Sequence, residues 1–243
     1  MSERAQFKLG GGSAVIGAVL ALILNGLHPH VDTAEAVLRA AAGNDNWLSL
    51  HLGLILGVLL ILGGLVVVTR TFGDGAGALL AQLGLVTAVL GVGLFLTNFA
   101  LDGMATQNVA RAWLNAPAAD RALAFRIAET FDQITFALYT LWVIVFTGLA
   151  FVVYGLAILT DTVYPKWFGW VAVLAGSGSV VVGLAQAYAG RSAAIEIGFV
   201  VCSVTVTLWM LAIGIVLWRR ADGTVNTAVS SGASPALARR LEQ

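Results

Sequence analysis

Six long apolar stretches dominate this 243-residue chain, at Gly10–Leu27, Trp47–Val68, Ala76–Ala100, Gln133–Leu159, Trp167–Tyr188 and Ala193–Trp218. Each reaches the ~18 residues that carry a helix through a bilayer. Only helices and closed barrels satisfy their own backbone hydrogen bonds in hydrocarbon, and runs of this length predict helices. The expected fold is therefore all-α, a polytopic bundle of six transmembrane helices. Charged residues make up 11% of the chain, well under the roughly 25% of soluble domains. A net charge of zero argues against a nucleic-acid partner and leaves the lipid bilayer as the obligatory one. The single cysteine, Cys202, excludes an intramolecular disulfide.

An even number of spans puts both ends of the chain on one side. With a cytoplasmic N-terminus, inside segments hold Arg4, Lys8, Arg70, Lys166, Arg219, Arg220, Arg239 and Arg240, whereas Arg39, Arg111, Arg121, Arg126 and Arg191 lie outside. The positive-inside rule thus places both termini in the cytoplasm. The basic lead at Arg4 and Lys8 resembles a signal peptide, but no convincing cleavage site follows, and an uncleaved first helix is expected. Residues 1–220 read as one transmembrane domain and residues 221–243 as a disordered cytoplasmic tail. The outer loop 101–132 is expected to be partly helical, with Asn115-Ala116-Pro117 starting a helix that runs into the fourth span. Asp32-Thr33-Ala34-Glu35 signals another short helix. Trp47 and Tyr188 are expected as interfacial anchors. Glycines seven apart (Gly10/Gly17, Gly57/Gly64, Gly84/Gly91, Gly148/Gly155, Gly176/Gly183) form stripes suited to close helix packing, inside the chain or against a membrane-protein partner or second copy.

Polar residues in a span are costly, so their positions carry information. They gather at the outer ends: Asn25 and His28 on the first helix, His51 on the second, Asn98 and Asp102 on the third, Glu129, Asp132 and Gln133 at i, i+3 and i+4 on the fourth, Gln186 on the fifth and Glu196 on the sixth. His30 lies two residues after His28. Imidazole and carboxylate from separate helices form the ligand set of a divalent transition metal. His28, His51, Asp102 and Glu129 are the expected ligands, and Asn25, His30, Asn98, Asp132, Gln133, Gln186 and Glu196 the other pocket residues. Haem held between His28 or His30 and His51 is a second version. A structural role competes with both: the histidines as caps and interhelical donors, Asp102-Gly103 as a helix-ending turn, and the acids paired with Arg111, Arg126 or Arg191.

Residues Trp142–Leu184 resemble a family of uncharacterised six-helix prokaryotic integral membrane proteins. The likeness is carried by the apolar helix ending at Tyr154-Gly155, the turn Tyr164-Pro165-Lys166-Trp167-Phe168-Gly169-Trp170 and the Ala/Gly-rich helix beyond it. It implies six helices in a prokaryotic cytoplasmic membrane and transfers no reaction and no functional residue. The chain has no P-loop, GxSxG, CxxC or dinucleotide fingerprint, and no proline interrupts a span as in many transporters. The functional expectation is an outward-facing His/carboxylate pocket for a metal or small ligand, without an assigned catalytic reaction. The alternatives are a non-catalytic subunit or scaffold of a membrane complex, and a small-solute transporter.

Overall fold

Hydrophobic runs with few helix breakers give long helices, and the computed structural model describes them over residues 1–29, 31 and 33–230, with side chains to Gly223. Six helices are long and apolar enough to cross a membrane. The first is α1 (Glu3–Leu27), N-capped by Ser2, whose hydroxyl accepts from the Ala5 amide at 3.3 Å. A short helix α2 (Ala34–Gly43) follows; Thr33 caps it by accepting from Ala36 N–H at 3.2 Å, as the sequence predicts. The second span is α3 (Trp47–Arg70). The third is α4 (Ala76–Ala100), which continues through a π-helical segment π1 (Leu101–Thr106) into α5 (Gln107–Leu114).

The fourth span is α6 (Arg121–Trp142), a second π segment π2 (Val143–Ala150) and α7 (Phe151–Thr160). The fifth is α8 (Lys166–Ala189), entered through Pro165, and the sixth is α9 (Ala193–Ser230). α9 runs past residue 220, where the expected tail begins; residues 231–243 lie outside the described part, as do His30 and Asp32.

Each span packs on the next in chain order, and α9 returns to α1, closing a ring. At the ring's seam Lys8 approaches Asp222 at 3.4 Å. The glycine stripes make these contacts. A Cβ on Gly17 would stand 2.6 Å from the Gly57 carbonyl oxygen, and one on Gly155 would stand 2.7 Å from that of Gly169. All ten stripe glycines face atoms of neighbouring helices or turns of this chain.

Two sequence expectations change. Asn115 ends α5 rather than starting a helix: its N–H donates to Arg111 O at 3.1 Å, and Pro117 begins a turn in which Asp120 N–H reaches Pro117 O at 2.9 Å. Trp47 is buried within the protein instead of anchoring it in headgroups, whereas Tyr188 is exposed. Burial follows from a partner for the indole N–H, described below.

Candidate functional site

The end of the ring that carries the histidines is not filled. A cavity of about 500 Å³ lies there, with walls from all six spans. His28 and Asp102 line it, His51 is buried beside them, and the three potential ligands each have a donor atom within 4.8 Å of the others.

His51 sits one turn into α3 and is 1% exposed. Its Nδ1 lies 2.7 Å from the Trp47 carbonyl one turn earlier. A carbonyl only accepts, so Nδ1 carries the proton and Nε2 holds the lone pair in the neutral ring. Nε2 is 3.1 Å from Asp102 Oδ2. Two lone pairs do not face each other at that distance unaided: a proton or a cation must stand between them. His28 repeats the arrangement, its Nδ1 lying 3.1 Å from Pro29 O. Donation of the second ring nitrogen to a carbonyl is how proteins orient metal-binding histidines.

Asp102 reaches the cluster because α4 does not stop. Asp102-Gly103 is no helix-ending turn; the backbone widens there into π1. π segments inside α-helices are rare and are found frequently at functional sites. Trp47 Nε1–H donates to the Asp102 carbonyl at 2.8 Å and pins π1 to α3. Gly103 lets the helices approach, since a Cβ there would meet His51 Cβ at 2.7 Å. The Trp47, His28 and His51 rings pack together, the two imidazoles edge to face with centroids 5.2 Å apart. Rings in direct contact leave no space for a macrocycle between them, so the bis-histidine haem version involving His28 does not fit.

On the facing wall Asp132, fully buried, accepts a bidentate pair of bonds from Arg191 at 2.7 and 2.9 Å. The guanidinium, on the short turn between α8 and α9, also stacks on Phe136 at 4.2 Å. Such forked pairing fixes geometry as well as charge. One turn deeper than Asp102, Asn98 shares the lining with Gln186, Tyr139, Trp142 and Phe199. Asn98 Oδ1, Gln186 Oε1 and Trp142 Nε1 are buried without a hydrogen-bond partner in the protein.

Among the expected residues, then, His28, His51 and Asp102 converge; Asn25, Asn98, Asp132, Gln186 and Glu196 line the cavity beside them. Glu129 belongs to neither set, and Gln133 is exposed on the other side of α6. Helical spacing explains the place of Gln133: Asp132 faces the ring axis, and the next residue is turned by about 100°. Trp47, Gly103, Tyr139 and Trp142 were not singled out for the site. Only a backbone that brings π1 against α3 reveals the first two. Tyr139 and Trp142 are three apart and follow Asp132 and Phe136 at i+7 and i+10 from Asp132, a spacing that places all four on one face of the helix.

Fold and site together define a multi-pass integral membrane protein with a partly buried His/His/Asp cluster beside a cavity. No family model, no curated protein and no solved structure matches the chain.

Proposed function

We propose that this protein binds a divalent first-row transition metal through His28, His51 and Asp102 at the exterior face of a prokaryotic cytoplasmic membrane. The observation that carries the reading is the 3.1 Å approach of His51 Nε2 to Asp102 Oδ2, with Nδ1 already committed to a carbonyl. Two ligands about 2.1 Å from one tetrahedral ion lie roughly 3.4 Å apart, so this pair is spaced to share one. His28, on the coil just after α1, is the third ligand and closes onto the ion by a small shift. Two histidines and one carboxylate, with further positions open to the cavity, suit zinc or iron(II). A metal so held polarises a bound oxygen or acidifies a bound water. The exterior placement rests on the excess of Arg and Lys at the opposite end of the bundle.

The test is elemental analysis of protein purified in mild detergent, loaded with zinc or iron(II) and desalted. Stoichiometric metal in the wild type, lost in His51→Ala and in Asp102→Ala while both variants keep their helical circular dichroism, is the expected result. A folded wild type that retains no metal would mean that a proton joins His51 to Asp102, and the proposal would fail.

A further inference from the structure

We propose that the cavity below the metal cluster is a binding site for a neutral, hydroxylated ring compound. The proposal stands on atoms other than the three ligands. Asn98 and Gln186 are each 3% exposed and Trp142 6%, yet Asn98 Oδ1, Gln186 Oε1 and Trp142 Nε1 have no protein partner, and all three residues line the cavity. Buried polar atoms are almost always hydrogen-bonded, and each exception calls for a partner. Here two acceptors and one donor, on helices α4, α8 and α6, belong to residues that line the same cavity. A hydroxyl is the simplest group that serves both kinds, since it donates to an amide oxygen and accepts from an indole N–H.

Charge narrows the class. The one guanidinium among the described lining residues, that of Arg191, has both terminal nitrogens bound by Asp132. An anion brought into the cavity would find that charge already matched. The three unpaired atoms belong to Asn98, Gln186 and Trp142, none of which carries a formal charge. Of the carboxylates in the lining, Asp102 is assigned to the metal and Asp132 is taken by Arg191, so a neutral ligand matches the unpaired groups.

Shape points to a ring. Tyr139 meets Phe199 at 5.1 Å and Trp142 at 5.5 Å between centroids, edge to face in both cases, and Phe99 stands on the adjoining wall. Aromatic walls favour a flat partner that stacks offset or edge-on. The volume, about 500 Å³, lies in the roughly 300–1,000 Å³ range of small-molecule sites. Asn98 is one helical turn from Asp102, so a ring hydrogen-bonded to the amide presents its other edge toward the cluster.

Calorimetric titration of the full chain in nanodiscs, with empty nanodiscs subtracted, tests this using resorcinol as the probe and benzoate and benzylamine as charged counterparts. Resorcinol is expected to bind saturably, at least tenfold more tightly than either ion. Asn98→Leu and Gln186→Leu should each weaken it about tenfold or more, and Trp142→Phe, which keeps a ring and removes only the N–H, should weaken it as well. These variants should hold metal as the wild type does, and His51→Ala should still bind resorcinol; the two proposals therefore fail separately. Resorcinol uptake no greater than that of empty discs would show a water-filled cavity and overturn the inference. So would tighter binding of benzoate or benzylamine, or wild-type affinity in Trp142→Phe.

Discussion

The two ends of the bundle treat their polar groups in opposite ways. At the end away from the histidines, buried donors find partners. Tyr154 OH donates toward Thr69 Oγ1 at 2.7 Å while Thr69 itself donates to Leu65 O. Tyr164 OH meets Thr71 Oγ1 at 2.9 Å, and Trp209 Nε1–H reaches Phe168 O at 2.8 Å. Lys166 Nζ closes the C-terminus of α7 by donating to Leu159 O at 2.7 Å, as cations at helix ends do. Arg4 Nε is the exception. At the histidine end, Asn98, Thr106, Trp142 and Gln186 each leave a buried polar atom unpaired, and the space between helices widens into the cavity. One half is closed by paired polar groups and the other holds a cavity lined by residues with unpaired ones. Both π segments belong to the spans that run between the two regimes, with π2 following Trp142 directly.

Substitutions can break that contrast. The largest effect is expected from Gly155→Leu in the sealed half. A Cβ at this position already meets the Gly169 carbonyl and the Val173 amide at 2.7 and 2.8 Å, both backbone atoms that cannot swing aside. Forcing the helices apart should cost about 3 kcal/mol, read as a loss of folded protein on heating in detergent. Gly103→Ala makes the equivalent intrusion in the open half, against the His51 side chain. There the expected loss is in metal affinity, about tenfold, with a much smaller change in thermal midpoint. Equal destabilisation by the two would erase the distinction between the halves.

The smallest expected effect is Tyr164→Phe, which removes one buried hydrogen bond at about 1 kcal/mol and leaves metal content unchanged. It has a pH signature. Burial first, against the opposing influence of the Thr71 bond and the Arg220 charge, raises the Tyr164 phenol above its ordinary range. The folded state therefore keeps its proton where the unfolded chain, titrating near ~10, gives it up. Stability from this group is complete below that pH and falls as pH rises through and beyond it. Denaturation curves from pH 8 to 11 should decline less steeply in the variant than in the wild type.

Much of this was legible in the letters. Apolar length alone defines the six spans, and the seven-residue glycine spacing anticipates the seams between them. The short helix signalled at Asp32-Thr33-Ala34-Glu35 was visible because helix starts depend on a few adjacent residues. His28, His51 and Asp102 stood out because ionisable side chains are rare at such depths. Glu129 was grouped with them for its charge; it shares the helix face of Asp132 but lies one turn before it, and it neither joins the cluster nor lines the cavity. Two features depended on long-range packing and left no local mark: the π widening at Leu101–Thr106 and the Trp47 indole held by the Asp102 carbonyl 55 residues away. An acid paired with Arg191 was among the structural readings, and packing across 59 residues makes that acid Asp132.

The closing of the ring by α9 against α1 has a consequence for biogenesis. Spans are made from the N-terminus onward, so the helix that supplies Phe199 and Glu196 to the cavity wall enters the bilayer after the other five have left the ribosome. Until it docks, the ring stands open along one side, with the face of α1 that will carry the seam turned to lipid. The cavity is thus the last part of the molecule to close, and a nascent chain stalled before the final insertion would carry the histidines without the wall that α9 supplies.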